Sequence, residues 1–284
     1  MIPKPIILDI SEWQVPTTIN YAQLSQQISG VIVRVQYGSN YEDKHYKTHI
    51  TEFNKYNVPV AVYAWVRGTS VSDMEKEARD FYQRAKNFQP TFWWLDVEEH
   101  SMSNMRQGVE AYRQQLKKLG AKKVGAYIAN HLFKQFNLDT TKFDAIWLPT
   151  YGINNGQYNG SNPTAINEYH LHQYSDRGRL SGYAGYLDLN RIAKGIVADY
   201  FGEAKDSIII EERPTRYELI TNVYLREGPS TKSKEIALLK KGEQILIHAY
   251  SSAEGYLWGE QRRANNKRGY LALGILQEYV RRVK

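Results

Sequence analysis

Short apolar runs alternate with amphipathic stretches along the first 190 residues or so, and this alternation limits the fold more than any other feature of the 284-residue chain. "PIILDIS", "GVIVRVQYG", "VPVAVYAWVR", "TFWWLDVEE", "KVGAYIAN", "DAIWLPTYG", "YHLHQYS" and "GYLDLN" read as strands by length and by aliphatic and aromatic enrichment. Between the first five lie the helical patterns "NYAQLSQQI", "HYKTHITEFNKYN", "SDMEKEARDFYQRAKNF" and "SMSNMRQGVEAYRQQLKKLG". Ser72 with Glu75 makes a capping box for the third helix, and Gly120 suits the C-cap of the fourth. Strand and helix in alternation imply a parallel sheet, and eight strands in this length imply a closed one. The second half is too compact for full helices, because "YGINNGQYNGSNPTAINE" is rich in Gly, Asn and Pro. The expected class is therefore α/β, an irregular and incomplete TIM-like (β/α) barrel over residues 1–200 whose last strands are joined mostly by loops.

Composition narrows the function. There is no cysteine, so disulfides, thiolate zinc sites and cysteine nucleophiles are all excluded. The longest apolar run, "VPVAVYAWV", is stopped by Arg67, well short of the roughly 18 residues that a membrane span needs, so no membrane insertion is expected. "MIPKPIILDIS" lacks a long apolar stretch before its first strand, so no secretory signal is expected. No G-x-x-x-x-G-K-[ST], G-x-G-x-x-G or G-x-S-x-G pattern supports nucleotide binding or serine hydrolase chemistry, and no nucleic-acid partner is expected. The net charge of +7 is uneven: residues 204–284 hold 15 Lys and Arg against 10 Asp and Glu, residues 1–203 hold 22 against 20. A basic tail favours a polyanionic surface, although a solvated face is the commoner explanation for an excess this small.

The acids carry the chemical argument. Asp9 ends "PIILD", Asp96 and Glu98 end "FWWLDVE", and Asp188 ends "GYLD". In parallel barrels the site forms at the C-terminal ends of the strands. Residues two apart on a strand share a face, so Asp96 and Glu98 point together while Val97 and Glu99 point away. A single D-x-E more often caps a helix or pairs with a base. Recurrence at three strand ends shifts the balance towards a site, where crowded carboxylates raise at least one pKa and create a general acid. Trp13, Tyr37, Tyr63, Trp65, Tyr127, Trp147, Tyr151 and Tyr174 also fall at or just after strand ends, and core packing accounts for about half of them. A cleft of aromatic faces and carboxylates suits a sugar polymer.

"DISEWQ" at the first strand, "DVE" at the fourth and "QYSDRGRLSGYAGYLDLNR" at the end resemble the glycoside hydrolase family 25 (Chalaropsis-type) lysozymes common among phage endolysins, in order and spacing, over about residues 5–195. The resemblance implies cleavage of the β-1,4 bond from N-acetylmuramic acid to N-acetylglucosamine in bacterial peptidoglycan. It further implies that Glu98 is the catalytic acid, that Asp96 is its carboxylate partner, and that Asp9 and Asp188 are flanking acids. Tyr63, Tyr127, Trp13, Tyr37, Trp65, Tyr151, Gln173 and Tyr174 are the candidate substrate contacts. The chain departs from the family pattern at His172, where an aromatic usually precedes Gln-Tyr-Ser, and at Pro149 in "WLPTYG". His170 and His172 form an H-x-H pair, but without a third nitrogen ligand or an HExxH motif no metal or other cofactor is expected.

Residues 201–214 mix charge with a short apolar run and a proline and read as a linker. Beyond it, over residues 215–284, short strand patterns with turns at "GPS", "KKG" and "NNKRG" predict a small all-β SH3-like barrel. From "YLREGPSTKSKEIALLKKGEQI" through "LWGE" to "RGYLALGIL" the order resembles bacterial SH3 (SH3b) domains, which implies attachment to the cell wall; Trp258 and Tyr270 are its candidate contacts. A spacer or oligomerisation module stays open, and a monomer is the working assumption. Three other readings also stay open: a barrel that binds wall polymer without cutting it, a carboxylate-metal enzyme that modifies polysaccharide, and a proline-peptide adaptor.

Overall fold

The computed structural model describes residues 2–201, 209–253, 256–264, 267–274 and 279–283. The chain forms two compact units, residues 1–202 and 203–284.

The first unit is a closed eight-stranded barrel. β1 (Ile7–Ile10), α1 (Tyr21–Ser25), β2 (Gly30–Tyr37), the short β3 (Tyr41–Glu42), α2 (Tyr46–Lys55), β4 (Val60–Trp65), α3 (Val71–Ala85), β5 (Trp93–Val97), α4 (Met105–Leu119) and β6 (Val124–Ile128) follow in sequence. They lead into α5 (Phe133–Phe136), β7 (Ala145–Pro149), β8 (Leu171–Gly178), β9 (Leu187–Ile192) and α6 (Val197–Phe201). Around the barrel the order is β1-β9-β8-β7-β6-β5-β4-β2, closed by the pairing of β2 with β1. All neighbours are parallel except β9, which runs antiparallel to both β8 and β1. Full helices follow only the early strands, as the sequence implied; from β7 to β8 the chain is loop.

Two apolar layers follow from strand alternation. Outward residues such as Val31, Val33, Val62, Leu95 and Val97 pack against Met74, Phe81, Val109 and Leu116 of α3 and α4. Inward residues Ile7, Ile32, Ala61, Trp94, Tyr127, Trp147 and Leu171 fill the barrel, and Tyr200 and Phe201 of α6 join them. Gly125 makes room for this filling, since a Cβ there would lie 2.4 Å from the Trp94 ring. Trp93, one residue earlier, faces outward and stacks on Tyr82 with centroids 5.2 Å apart. The loop between β7 and β8 takes the place of a missing helix: Arg191 of β9 donates to His172 Nδ1 (3.1 Å) and Asn162 Oδ1 (2.6 Å), and its guanidinium lies 4.5 Å from the Tyr158 ring.

Helix ends correct one expectation. α3 begins with Ser70 as N-cap, its hydroxyl accepting from the Asp73 amide, while Asp73 Oδ2 accepts from the Thr69 amide. The N-terminus of α3 is thus capped by Ser70, with Asp73 tying down Thr69, rather than by Ser72 with Glu75, because Val71 already has helical geometry. Gly120 closes α4 in the left-handed region, φ +114°, as its sequence position implied.

The second unit is one antiparallel sheet of seven strands in the order β12-β11-β15-β14-β13-β10-β16. These are β10 (Ile209–Leu219), β11 (Val223–Arg226), β12 (Glu235–Leu239), β13 (Gln244–Ala253), β14 (Tyr256–Arg262), β15 (Arg268–Gly274) and β16 (Val280–Arg282). Its core holds Leu219, Leu225, Ile247, Leu271 and Leu273. β10 starts at Ile209, so residues 209–214, read from sequence as linker, belong to a strand; residues 202–208 lie outside the described residues, as do 254–255, 265–266 and 275–278. No helix among the described residues is long and apolar enough to cross a membrane.

Candidate active site

Asp9, Asp96 and Glu98 meet Asp188 at the end of the barrel where the parallel strands finish. Asp9 belongs to β1 and Asp96 to β5, and Glu98 follows β5 directly. Asp188 reaches the same mouth for a different reason than the sequence suggested. It is the second residue of β9, and because β9 is antiparallel its beginning lies beside the ends of its neighbours; Asp188 stands opposite Asp9 in register.

The geometry around these acids separates them. Asp9, 3% exposed, accepts from Asn190 Nδ2 at 2.6 Å and from Gln173 Nε2 at 3.1 Å. Asp96, 5% exposed, has a buried Oδ1 with no hydrogen-bond partner. Burial pushes Glu98 up to about 7, with the charge of Asp9 adding to it. Burial likewise lifts Asp9 to about 7 against the pull of its two amide donors. Asp96 rises well above the carboxylate range through burial and then through the charges of Glu98 and Asp9; Asp188 rises through burial and then through Asp9. Four acids crowded into one desolvated mouth therefore cannot all ionise near neutral pH, and the protons they retain are what general acid catalysis demands.

One cation tempers them. Arg34 of β2 is buried and anchored by Glu12 (3.3 Å) and Asp43 (3.1 Å), and its charge opposes the rise of Asp96. Sequence reasoning passed over it, although an arginine inside "VIVRVQY", on the same face as Ile32, was a readable signal.

The aromatics divide into floor and rim. Tyr63 and Tyr127 are buried among the inward residues with Trp147, and Tyr127 meets Trp147 edge-on at 4.7 Å. Tyr127 and Tyr151 both donate to Gln173 Oε1, at 2.9 and 2.8 Å. Gln173, a candidate substrate contact, is thus committed to protein partners on both ends of its amide. At the rim Tyr37 packs on Trp65, centroids 5.2 Å apart, and the Arg67 guanidinium lies 4.6 Å from the Tyr37 ring. Glu99, turned away from Glu98, ties this rim by accepting from Arg67 at 2.9 Å and from the Trp65 indole at 3.3 Å. Trp13 stands on the loop after β1 and is 75% exposed.

Two candidates fall elsewhere. Tyr174 is 1% exposed and belongs to the outer apolar layer, since it follows inward-facing Gln173 by one residue and so points away from the mouth. Trp258 in the second unit is 1% exposed, so it offers no free face to a ligand; Tyr270 is half-buried with its hydroxyl donating to Glu260 at 3.3 Å. Asn190 was missed, although "LDLN" puts it on the face of Asp188. His172 spends both ring nitrogens on Thr150 and Arg191 and is pushed by burial down to about 4. Among the described residues no group of three or more His, Asp or Glu is arranged to hold a metal ion.

A closed barrel with paired carboxylates and an aromatic rim defines a glycoside hydrolase. Residues 8–183 match the model of glycosyl hydrolases family 25, and the chain belongs to that family. Among solved structures it is similar to GHIP, a glycosyl hydrolase 25 of Streptococcus pneumoniae described as a virulence factor in host cell invasion, at 44% identity, covering 70% of this chain and 92% of that one with a TM-score of 0.67. The catalytic domain of endolysin ply40 from bacteriophage P40 of Listeria monocytogenes is 28% identical over 69% of this chain and 97% of its own, TM-score 0.64. The spore cortex lytic enzyme SleM of Clostridium perfringens shares the fold alone, at 14% identity over 94% of this chain and 97% of its own, TM-score 0.58. No curated protein sequence matches.

Proposed function

We propose that the protein is an N-acetylmuramidase that cuts the β-1,4 bond between N-acetylmuramic acid and N-acetylglucosamine in peptidoglycan, in the manner of a phage or prophage endolysin acting on the wall after its release. The observation that carries this reading is Glu98, held near pH 7 by burial and by Asp9, beside a buried Asp96 whose Oδ1 lacks a partner.

Glu98 donates its proton to the glycosidic oxygen as the bond to the anomeric carbon breaks. A retaining enzyme with a protein nucleophile sets two carboxylates on opposite sides of the sugar, about 5 Å apart. Asp96 and Glu98 come from one strand two residues apart and project together, which suits substrate assistance better. The acetamido oxygen of the muramyl residue attacks the anomeric carbon while Asp96 orients the amide and offsets its growing positive charge. Water, giving its proton to Glu98, then opens the intermediate and leaves a reducing muramyl end. The Tyr37 and Trp65 rim and Trp13 supply apolar faces for flanking sugars.

The second unit is proposed to hold the enzyme on its insoluble substrate. Its basic excess suits an anionic wall polymer, and tethering raises the effective concentration of the catalytic unit.

The test is digestion of purified peptidoglycan by wild type and Glu98→Gln, with and without EDTA, read by new reducing ends and by fragment masses. Products ending in reducing N-acetylmuramic acid, absent with the variant and indifferent to EDTA, are expected. Wild type that binds wall without releasing reducing sugar on several wall types refutes the muramidase reading, and loss of cleavage in EDTA redirects it to metal chemistry.

A further inference from the structure

Asn190 and Gln173 lie behind Asp9, and their amides have defined orientations. The Trp147 indole nitrogen, which can only donate, reaches Asn190 Oδ1 at 2.8 Å, so Asn190 Nδ2 must be the atom on Asp9, at 2.6 Å. Gln173 Oε1 takes both phenols, Tyr127 and Tyr151, which turns its Nε2 towards Asp9 at 3.1 and 3.3 Å. Asp9 thus receives N–H donors from two strands, β8 and β9, whereas Asp96 Oδ1 receives none. Donors of this kind favour the ionised form of the acid that accepts them.

We propose that Asn190 and Gln173 are positioning residues that keep Asp9 as the fixed carboxylate anion of the mouth, so that the proton of the facing Asp9 and Asp188 pair rests on Asp188. The fixed anion in turn helps Glu98 to keep its proton, and this deepens the hydrolase reading above. The acids that share the mouth with Asp9 and feel its charge are Asp188 on β9 and Asp96 and Glu98 on and after β5, while Arg34 on β2 acts on Asp96. Tyr63 on β4, Tyr127 on β6 and Tyr151 after β7 complete the surroundings, and burial together with these acids keeps the first two phenols un-ionised. Arg34 is spent on Glu12 and Asp43, and the amides that donate to Asp9 are those of Asn190 and Gln173, with the facing Asp188 carboxyl as a further hydrogen-bond partner.

The experiment follows the carboxyl carbon of Asp9 by 13C NMR across pH in the full chain, the resonance assigned by its loss in Asp9→Asn. Asn190→Ala and Gln173→Leu are each expected to raise the Asp9 midpoint by about one pH unit, the order of effect of a lost hydrogen bond to a charge. The acidic limb of kcat/KM should move upward with it. A residue of merely structural importance would lower the melting temperature and leave the midpoint in place. Should either variant fail to fold, Tyr151→Phe deletes one hydroxyl and loosens Gln173, and a smaller upward shift is expected there. An unmoved or lowered midpoint in the folded variants overturns the proposal. The NMR reading stands whether or not wild type cleaves a glycan, so its failure is distinct from failure of the muramidase assay.

Discussion

Glu98→Gln is expected to produce a protein that is inactive and, above neutrality, more stable than wild type. Burial raises the Glu98 carboxyl from 4.5 to about 7, so the folded state holds this proton more tightly than the unfolded chain does. Its contribution to stability is therefore complete below pH 4.5 and is lost as pH rises through about 7. A shift of roughly 2.5 units corresponds to about 3.4 kcal/mol at most, at 1.36 kcal/mol per unit. Sharing among the neighbouring acids Asp9 and Asp96 brings this nearer to about 1.5 kcal/mol. Glutamine cannot ionise, so it avoids that loss. In a unit of some 200 residues, about 1.5 to 3.4 kcal/mol raises the melting temperature by roughly 3 to 14 °C. Thermal denaturation at pH 4 and pH 8 measures it: the two proteins should melt alike at pH 4 and diverge at pH 8, while kcat falls by about 10²-fold to 10⁴-fold. A variant that melts lower than wild type at pH 8, or whose kcat stays within about tenfold of wild type, refutes the argument that Glu98 is a desolvated acid poised for proton transfer.

Three further outcomes follow from the same geometry. Tyr174→Phe, which removes a buried hydroxyl without a hydrogen-bond partner, should leave activity unchanged and alter stability by no more than about 1 kcal/mol in the favourable direction, by denaturant melts; a several-fold fall in kcat/KM would return Tyr174 to the substrate cleft. Trp13→Ala, at a side chain 75% exposed, should raise KM several-fold with the melting temperature nearly constant, and steady-state kinetics on soluble glycan chains would show otherwise if Trp13 is only surface. Removing residues 203–284 should weaken pelleting with insoluble walls while sparing hydrolysis of soluble fragments, and unchanged pelleting would exclude a wall-binding role for the second unit.

The acids were legible because each ends or opens an apolar run, and strand alternation alone put Asp96 with Glu98 and set Glu99 apart. The same alternation, applied one residue further, separates Tyr174 from Gln173; strand-end position by itself does not. β2 shows where alternation stops working. A bulge between Arg34 and Gln36 in its pairing with β4 turns Gln36 outward, where its amide donates to the Glu77 carbonyl and the Tyr112 hydroxyl, and leaves Tyr37 at the rim against Trp65. Trp258 misled for a simpler reason, that an aromatic in a strand pattern carries no mark of how deeply it is covered.

By itself the sequence determined the barrel class, the early helices and the acids that line the mouth, because periodicity and strand ends are local properties of the chain. Only the tertiary structure decided that β9 runs antiparallel, which carries Asp188 to the mouth from the start of its strand and sets Asn190 on Asp9 across 181 residues of sequence. Strand direction depends on which neighbours a segment pairs with, and the desolvation that holds protons on these carboxylates depends on the walls closing round them. Both are properties of the assembled barrel, so no single segment records them.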